Sequence, residues 1–302
     1  MPKPALAFVI AHYHPTGRVP QHLYDLIVRL HALSRRIVFV STGISDDQIV
    51  RLEPFARVIR RENFGYDFWS YRVGIDSLGD LSAVDRLVLL NSSFVTIYPR
   101  LLIPHFTMPV IGKRVRGLTE SRHPSRHLQS YCLMFDTPAL LASEPFRQWW
   151  GELTPLSDRE EVILHQELGL SAHFVAARIR MVPVFEPEPT HLARALCRYI
   201  AGLPPTAQIG NISADGRSLL LPLKRGYKLN PSHFLWDALL ERTGILKIEL
   251  VRDNPMDLGL QHLRKALEHK VQAAALVADA LVGEMPREAR RAPAIHEVGL
   301  GN

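Results

Sequence analysis

Cysteine is scarce in this chain, and long apolar runs are absent from it. The 302 residues include two cysteines, Cys132 and Cys197, which are too few for a disulfide framework and lack metal-type spacing. No apolar run in the sequence is long enough to span a bilayer. Residues 1–4 lead straight into an apolar strand pattern, which leaves no room for a secretory leader. We therefore expect a cytoplasmic protein in a reducing compartment.

Two motifs that mark many nucleotide or metal sites are also missing. Residues 12–17 contain one glycine, Gly17, where a dinucleotide-binding turn would read G-x-G-x-x-G. The polar segment Asn91-Ser92-Ser93 contains no carboxylate, the ligand that hard divalent cations usually require. Amide and hydroxyl groups can still hydrogen-bond a diphosphate. No metal site is therefore assigned, and a divalent cation, Mg²⁺ or Mn²⁺, is allowed but not favoured.

The charge balance is moderately basic. Lys and Arg number 36 against 30 Asp and Glu, for a net charge of +6. Such a surface favours anionic partners. The basic residues are spread along the chain without a recognisable nucleic-acid motif, so a diphosphate ligand or a membrane surface fits better than RNA or DNA. A basic protein with no anionic partner at all is the alternative.

Apolar runs of strand length alternate with helical patterns along the first half. Continuous apolar runs suit central parallel strands that are buried on both faces. The strands predicted in this way cover residues 5–11, 37–40, 58–59 and 86–90, and the helices between them begin with residues 19–34 and 46–55. This order predicts an α/β, Rossmann-type, mostly parallel sheet flanked by helices.

A polar segment follows three of these strands. Ligands of open parallel sheets sit beyond the carboxyl ends of the strands, where such segments come together. We expect this edge to bind a nucleotide ligand through His12, His14, Gly17, Glu62, Asn63, Gly65, Asp67, Arg72, Asn91, Ser92 and Ser93. Metal binding by the two histidines is the weaker alternative, because no third ligand is near in sequence.

The turn before the third helix is the most distinctive stretch. Gly65 permits a backbone shape or a close approach that a side chain would block. Asp67 or Ser70 is expected to cap the helix that follows, whose N-terminus would hold negative charge. The aromatic residues around them are expected either to pack the helix on the sheet or to contact the ligand.

The second half becomes more helical. An acidic helix at 158–170 carries Glu161, His165 and Glu167. We also predict strands at 127–135, 179–185 and 245–251, and helices at 139–150, 190–200, 232–241 and 258–282. The last helix is amphipathic, and it either packs on its own domain or contacts a membrane surface. A basic patch with Lys224, Arg225 and Lys228 precedes the helix at 232.

Several segments, in order, resemble the rhamnan synthesis protein F family. They cover residues 17–19, 39–42, 61–68, 89–93, 117–121, 127–131, 230–236 and 247–255. The resemblance implies a glycosyltransferase of polysaccharide assembly, such as rhamnan, O-antigen or lipopolysaccharide synthesis. One departure is clear: Ser92 stands where the family pattern has aspartate, between asparagine and serine.

The strand–helix order also resembles a GT-A glycosyltransferase. The resemblance implies a GT-A-like nucleotide-sugar and acceptor domain at 1–185, a mainly helical C-terminal part at 186–285 packed on it, and a loose tail at 286–302. In that fold a helix after the acceptor-side strand carries the catalytic carboxylate, so Glu167 is the first candidate for the base, followed by Glu161 and Glu120.

The resemblance also implies the substrates. The donor would be a dTDP-, UDP- or GDP-linked sugar, and the acceptor a glycan or a lipid-linked glycan at the inner membrane face. Acceptor or diphosphate contacts are expected from Thr119, Ser121, His127, Gln129, Lys224, Arg225 and Lys228. Two alternatives remain: a non-catalytic sugar-nucleotide or glycan-binding subunit, and another Rossmann-type enzyme such as a methyltransferase.

Overall fold

The computed structural model describes residues 4–202, 230–255 and 258–284. In chain order the strands are β1 (Leu6–His12), β2 (Ile37–Ser41), β3 (Arg57–Arg60), β4 (Arg86–Asn91), β5 (Phe94–Thr96), β6 (Arg114–Gly117), β7 (Glu120–Ser121), β8 (His127–Leu128), β9 (Cys132–Asp136), β10 (Arg180–Pro183) and β11 (Ile245–Lys247). One seven-stranded sheet has the order β10-β6-β9-β4-β1-β2-β3. Its neighbours pair in parallel except at β9, which runs antiparallel to β4 and β6. The predicted mostly parallel α/β sheet is confirmed.

Helices cover both faces of this sheet. The longer ones are Gln21–His31, Asp46–Leu52, Tyr66–Leu78, Glu144–Glu152, Gly169–Ala176, Pro189–Gly202, Trp236–Thr243, Gln261–Glu268 and Val271–Leu281. The shorter ones are Pro99–Leu102, Pro104–Thr107, Pro138–Leu141, Arg159–Glu161, Pro231–Phe234 and Ile248–Arg252, together with the π-helical segment Val162–Leu168.

The sheet separates two apolar cores. Phe8 and Ile10 of β1 point into one core, while Ala7 and Val9 point into the other. All four side chains are fully buried. A strand that is covered on both faces needs apolar residues at every position, which is why β1, β2 and β4 read as continuous apolar runs.

The C-terminal part completes the first core. Leu239, Ile245, Leu263 and Val277 are buried there together with residues of β1 and β4. β11 pairs antiparallel with β5, with Lys247 opposite Phe94. A segment near residue 247 is thereby attached to the loop that follows β4, which brings it to the carboxyl edge of the sheet.

Close packing fixes the helix Tyr66–Leu78 against β1. A Cβ atom on Gly74 would lie 2.2 Å from Cγ1 of Val9, so any larger residue there would push the helix away from the sheet. The buried side chains of Phe68 and Tyr71 fill the space beside this contact. The first turn of the helix, which contains Asp67, is therefore held at the edge of the sheet.

Two predicted helices are each broken in the structure. The helix predicted at 139–150 forms as Pro138–Leu141 and Glu144–Glu152. Pro145 has no N–H for an intrahelical bond and its ring crowds the preceding turn, so the helix restarts beside it. The helix predicted at 258–282 forms as Gln261–Glu268 and Val271–Leu281, because the exposed polar stretch 268–270 gives the chain nothing to bury.

Two predicted strands are also shorter than expected. The segment 245–251 is a strand only as far as Lys247, where its pairing with β5 ends, and then forms the helix Ile248–Arg252. The segment 127–135 forms β8 and β9, and the residues between them leave the ladder. There Gln129 N donates to the carbonyl oxygen of Thr119, and Ser130 N donates to the carboxylate of Glu167.

The predicted acidic helix is longer than expected. It starts at Arg159 and continues to Ala176, with a π-helical segment, Val162–Leu168, in the middle. Asp158 caps its start by accepting from the backbone N–H groups of Glu160 and Glu161, at 2.8 and 3.0 Å. Single π-helical turns occur often at functional sites, and this one carries Glu167.

Candidate functional site

The loops after β1 and β4 meet at the carboxyl edge of the sheet, together with the helix that follows β3. Asn91, the last residue of β4, donates from Nδ2 to Oδ2 of Asp67 at 2.7 Å. Ser92 Oγ accepts a hydrogen bond from the backbone N–H of Tyr13 at 3.3 Å. The predicted convergence of polar residues from separate strand ends is therefore present in the structure.

The backbone around Gly65 directs Asp67 toward this edge. Gly65 has φ +71°, and a Cβ atom there would lie 2.6 Å from Cβ of Trp69. Gly65 is itself the N-cap and no side chain caps the helix, so the expectation that Asp67 or Ser70 would cap it is wrong. The side chain of Asp67 turns to Asn91 instead.

Arg61 fastens the same turn, a role that the sequence did not reveal. Its guanidinium donates to the carbonyl oxygens of Glu62 and Tyr66, both at 2.8 Å. It also donates to Ser70 Oγ at 2.7 Å. One planar cation with five donors can bind several carbonyl oxygens at once, and Arg61 fixes the shape of the turn in this way.

The groups around Asp67 have opposing effects on the pKa of its carboxyl. Burial raises the pKa of its carboxyl, and the nearby Glu167 raises it further. The hydrogen bond from Asn91 and the charges of Lys247 and Arg61 act in the other direction. A carboxyl with a raised pKa at a strand edge is a frequent property of binding and catalytic sites.

Glu167 comes to this site from the opposite side. Its Oε1 accepts a hydrogen bond from the backbone N–H of Ser130 at 2.6 Å. It interacts electrostatically with both Asp67 and Lys247. Among the described residues its second oxygen accepts no hydrogen bond, which leaves that oxygen able to take a proton.

The two other predicted carboxylates lie elsewhere. Glu161 is exposed in the first turn of its helix. Glu120 is held by Arg126, at 2.6 Å from Nε, and by Arg122, at 3.4 Å. Of the three candidates for the base, the structure brings only Glu167 together with Asp67 and Asn91.

Lys247 is the residue that the sequence did not single out. It lies at the end of β11, is 7% exposed, and donates from Nζ to Ser93 Oγ at 2.6 Å. Its Nζ is 4.2 Å from the ring centroid of Tyr131. Burial lowers its pKa from 10.5 to about 8, against the opposing effects of Glu249, Glu167 and Asp67. Its only sequence signal is a lysine inside a strand pattern that belongs to the family-like segment 247–255.

Thr119 and Gln129, two of the predicted contact residues, are linked by hydrogen bonds to Tyr131, whose ring faces Lys247. These three residues form one wall of the site. Thr119 Oγ1 lies 2.8 Å from the hydroxyl of Tyr131 and donates to Gln129 Oε1 at 2.7 Å. Burial raises the pKa of the Tyr131 phenol, so this ring stays neutral. The wall therefore presents an aromatic face and hydrogen-bonding groups without charge of its own.

His12, His14 and Gly17 shape the loop after β1. His12 bonds Ser41 Oγ at 2.9 Å and the carbonyl oxygen of Arg18 at 3.1 Å, and burial lowers its pKa to about 3. His14 Nε2 donates to the carbonyl oxygen of Val282 at 2.9 Å. Gly17 has φ +70°, and a Cβ atom there would lie 2.3 Å from the carbonyl oxygen of Gly43. These contacts hold the loop in place, and ligand contact by these residues stays a prediction.

The remaining predicted residues that the structure describes have other partners or are exposed. Glu62 and Asn63 are exposed, and Arg72 forms an ion pair with Asp76 at 2.7 Å. Ser121 Oγ accepts from the backbone N–H of His123 at 3.3 Å, and His127 Nδ1 donates to the carbonyl oxygen of Ser125 at 2.8 Å. Lys224, Arg225 and Lys228 lie outside the described residues, as does the tail at 286–302.

A separate cavity of about 460 Å³ lies next to this site, beside β7, β8 and β10. Its polar lining is Glu120, Arg126, His127, Ser171, Arg178 and Arg180. The helix that carries Glu167 also forms its wall, because Ser171 Oγ accepts from the backbone N–H of Leu128 at 3.1 Å. The cavity and Glu167 thus lie along the same helix.

The segment Asn91-Ser92-Ser93 at the end of β4 contributes no carboxylate of its own. Within residues 4–202, 230–255 and 258–284, no group of three or more His, Cys, Asp or Glu side chains is arranged to hold a metal ion. Asn91 and Ser93 supply neutral oxygens, and the ammonium group of Lys247 stands next to them. A positive charge at that position would repel a metal ion.

The mostly parallel sheet with helices on both faces makes this an α/β protein, and its buried polar site lies at the carboxyl edge of the sheet. The sequence model of the rhamnan synthesis protein F family matches residues 37–200, which is more than half of the 302-residue chain. The chain belongs to the rhamnan synthesis protein F family.

One curated relative and two solved structures extend the comparison. Virulence protein VirA of Vibrio anguillarum is 27% identical over 216 residues, which are 70% of this chain and 66% of that protein. A cytidylyltransferase from Leptospira borgpetersenii is 10% identical with a TM-score of 0.37, over 74% of this chain and 98% of that one. Glucosyl-3-phosphoglycerate synthase from Mycobacterium tuberculosis, solved with Mn²⁺ and UDP-glucose, is 15% identical with a TM-score of 0.35, over 66% and 77%.

Proposed function

We propose that this protein is a glycosyltransferase with a GT-A-like catalytic domain. It would move a sugar, rhamnose by family, from a dTDP-, UDP- or GDP-linked donor to a growing cell-surface polysaccharide or lipid-linked glycan such as O-antigen or lipopolysaccharide. Membership of the rhamnan synthesis protein F family supports the reaction class. The observation that carries the proposal is the meeting of Asp67, Asn91 and Glu167 at the carboxyl edge of the sheet.

In this proposal Glu167 is the general base. Its Oε1 is fixed by the N–H of Ser130, and the other oxygen removes the proton of the acceptor hydroxyl. The acceptor oxygen then forms a bond to the anomeric carbon, and the bond from that carbon to the nucleoside diphosphate breaks. The electron pair of the broken bond leaves on the diphosphate oxygen, which gives an inverted product.

Asp67 and Asn91 would hold the donor sugar. Their side chains are already hydrogen-bonded to each other, so both are fixed in orientation before a ligand arrives. A carboxyl and an amide together offer donors and acceptors to adjacent sugar hydroxyls. Fixed polar groups of this kind lower the entropic cost of orienting the donor for attack.

The acceptor would lie in the cavity beside β8. That cavity follows the Glu167 helix, so an acceptor hydroxyl can reach Glu167 while the rest of the acceptor occupies the cavity. Arg126, Arg178 and Arg180 line it and would attract a phosphate of a lipid-linked glycan. His127 and Glu120 are then acceptor contacts.

A peripheral position at the cytoplasmic face of the inner membrane is part of the proposal. The net charge of +6 supports contact with anionic lipid. No helix in the described part of the chain is both long and apolar enough to cross a bilayer. The helices Gln261–Glu268 and Val271–Leu281 bury Leu263 and Val277 in the protein, so their apolar face is used within the fold. Pelleting with anionic liposomes at low and high salt tests this contact, and no pelleting at low salt would exclude it.

A non-catalytic sugar-nucleotide or glycan-binding subunit is the second candidate. Ser92, in place of an acidic residue, favours it. Calorimetric titration of dTDP-, UDP- and GDP-sugars, with and without Mn²⁺, followed by measurement of nucleoside diphosphate release, separates the two. Binding with release supports the transferase, and binding without release in the presence of glycan acceptors supports the binding subunit. S-adenosylmethionine in the same titration tests the methyltransferase alternative.

A further inference from the structure

Lys247 is a buried cation whose hydrogen-bond partner is neutral. Its side chain is 7% exposed, and its ammonium group donates to the hydroxyl of Ser93 at 2.6 Å. Among the described residues it forms no ion pair, although Glu249, Glu167 and Asp67 are near enough to affect its charge. An ammonium group has three donors, so part of its capacity is unused.

Such an arrangement is unfavourable for folding alone. Removing a lysine from water costs free energy that a hydroxyl does not fully return. The position of Lys247 is nevertheless fixed on both sides. β11 pairs with β5, and Ile248 N donates to the carbonyl oxygen of Ser93 at 3.1 Å. The face of Tyr131, 4.2 Å from Nζ at its centroid, gives further weak attraction to the charge. The donors of the ammonium group that Ser93 does not use are suited to an anionic group of a ligand.

We propose that Lys247 binds the diphosphate of the donor and supplies the positive charge that stabilises it as it departs, in place of a divalent metal ion. This rests on the proposed transferase function. When the bond between the anomeric carbon and the diphosphate oxygen breaks, its electron pair stays on that oxygen, and the ammonium group donates a hydrogen bond to the phosphate. The proton released by the acceptor goes to Glu167.

The chemistry of the strand end agrees with this exchange of metal for lysine. Asn91 Oδ1 accepts from both the backbone N–H and the hydroxyl of Ser93, at 3.1 and 2.6 Å. Ser93 Oγ in turn accepts from Lys247. Ser92, in the middle of this segment, has no carboxylate for a metal ion, and the cation Lys247 is bonded to its neighbour Ser93.

The charged groups that face Lys247 affect its pKa and therefore the pH dependence of turnover. They are Glu249 on its own segment, Glu167 from the π-helical segment, Asp67 from the helix after β3, and Arg159, while Tyr131 stays neutral. Burial lowers the Lys247 pKa to about 8. Turnover at low donor concentration should therefore fall as the pH rises through about 8, because the ammonium form is lost.

Three variants of the full chain test the proposal: Lys247→Met, Lys247→Arg and, as a matched control, Lys270→Met. Lys270 is an exposed lysine whose Nζ lies 5.3 Å from the ring centroid of Tyr98, so the control removes an equal charge and a similar aromatic contact away from the site. Circular dichroism and thermal melting establish that each variant is folded. Calorimetry with the nucleoside diphosphate and release of nucleoside diphosphate from the donor are measured in EDTA and in Mn²⁺.

For Lys247→Met we expect roughly a 10²–10³-fold loss of kcat, the size found when one leaving-group or oxyanion donor is removed, with weaker diphosphate binding. Lys247→Arg should keep part of the activity and lose the fall near pH 8, since arginine does not titrate there. Lys270→Met should match the wild type, and EDTA should leave wild-type turnover unchanged.

Two results would overturn the proposal: wild-type turnover abolished by EDTA, or Lys247→Met that turns over and binds diphosphate like the wild type. If the wild type binds diphosphate but turns over no donor, and Lys247→Met loses that binding, the transferase function fails while the diphosphate site stands. If the wild type and Lys247→Met turn over donor equally, the transferase function stands and the role of Lys247 at the diphosphate fails.

Discussion

The two ends of β4 both hold buried charge, and they treat it in opposite ways. At the start of the strand Arg86 and Arg116 share the carboxylate of Asp136, with Arg116 Nε 2.6 Å from it. Their remaining donors reach backbone carbonyls, such as that of Met108 at 2.9 Å from Arg86. At the other end Asp67 is bonded to the amide of Asn91, and the nearby Lys247 to the hydroxyl of Ser93.

This contrast shows how buried charges can be sorted by the partners they meet. At the Arg86 end every charge meets an opposite charge, and the removal of one partner would strand the others. At the Asn91 end the hydrogen-bond partners of Asp67, Glu167 and Lys247 are neutral, and these charges act on one another through space. Buried titratable groups with shifted pKa values, such as Asp67 and Lys247, are frequent at functional sites.

The greatest change is expected in catalysis at the Asn91 end. Glu167→Gln should lower kcat by roughly 10²–10⁴-fold, the range for loss of a general base. Donor affinity should stay nearly unchanged, because glutamine can still accept the N–H of Ser130. Release of nucleoside diphosphate under saturating donor measures the effect. Glu160→Gln, an exposed neighbour on the same helix, is the control, and a comparable loss from Glu161→Gln alone would move the base to that residue.

The second change is in stability at the Arg86 end. Asp136→Asn should lower the free energy of unfolding by about 3–5 kcal/mol, because it leaves two buried guanidinium groups without a counter-charge. Urea denaturation gives the change. Asp76→Asn breaks an exposed ion pair with Arg72 and should cost no more than about 1 kcal/mol. Equal effects from the two variants would contradict the structural role assigned to Asp136.

The third expected change is an increase in the free energy of unfolding, opposite in sign to the change expected for Asp136→Asn. Lys247→Met should raise the free energy of unfolding at pH 7 by about 1–3 kcal/mol, since it removes a buried charge that no ion pair compensates. The same denaturation experiment, without ligand, measures it. A marked loss of stability would mean that Lys247 belongs with Arg86 among the structural charges.

The last expected change is a pH dependence of the same difference in stability. The pKa of Lys247 is lowered from 10.5 to about 8 in the folded protein. Between these values the unfolded chain binds more protons than the folded one, so this residue makes stability increase as the pH rises from about 8 to 10.5. Below pH 8 both states are protonated and the full penalty is present. The contribution, read as the difference between wild type and Lys247→Met across this range, should reach about 1–3 kcal/mol.

The sequence predicts the part of the site that depends on strand order. Buried runs such as those at β1 and β4 identify central parallel strands, and the polar residues after them must share an edge. Asn91 and Asp67 could therefore be placed together from the sequence pattern alone. The choice of Glu167 over Glu161 as first candidate rested on its position beyond the first helical turn. The backbone N–H of Ser130 fixes its carboxylate, and its catalytic role stays a prediction.

The remainder depends on contacts that sequence patterns do not show. Lys247 reaches the site because β11 pairs with β5, a strand that lies far earlier in the chain, and no local signal indicates that pairing. The carbonyl oxygens of Arg18 and Val282 bond ring nitrogens of His12 and His14, which the sequence pattern did not indicate, and ligand contact by these histidines stays a prediction. Polarity in a loop does not reveal whether the protein itself supplies the partner.

The decisive experiment is a crystal structure of the full chain with a nucleotide-sugar bound in the absence of divalent metal. We expect the diphosphate within hydrogen-bond distance of Lys247 Nζ and Ser93, and the sugar against Asp67 and Asn91 with Glu167 facing its anomeric carbon. A donor bound in the cavity of Arg126 and Arg178, or one held away from Lys247 by other groups, would contradict the assignment of the site.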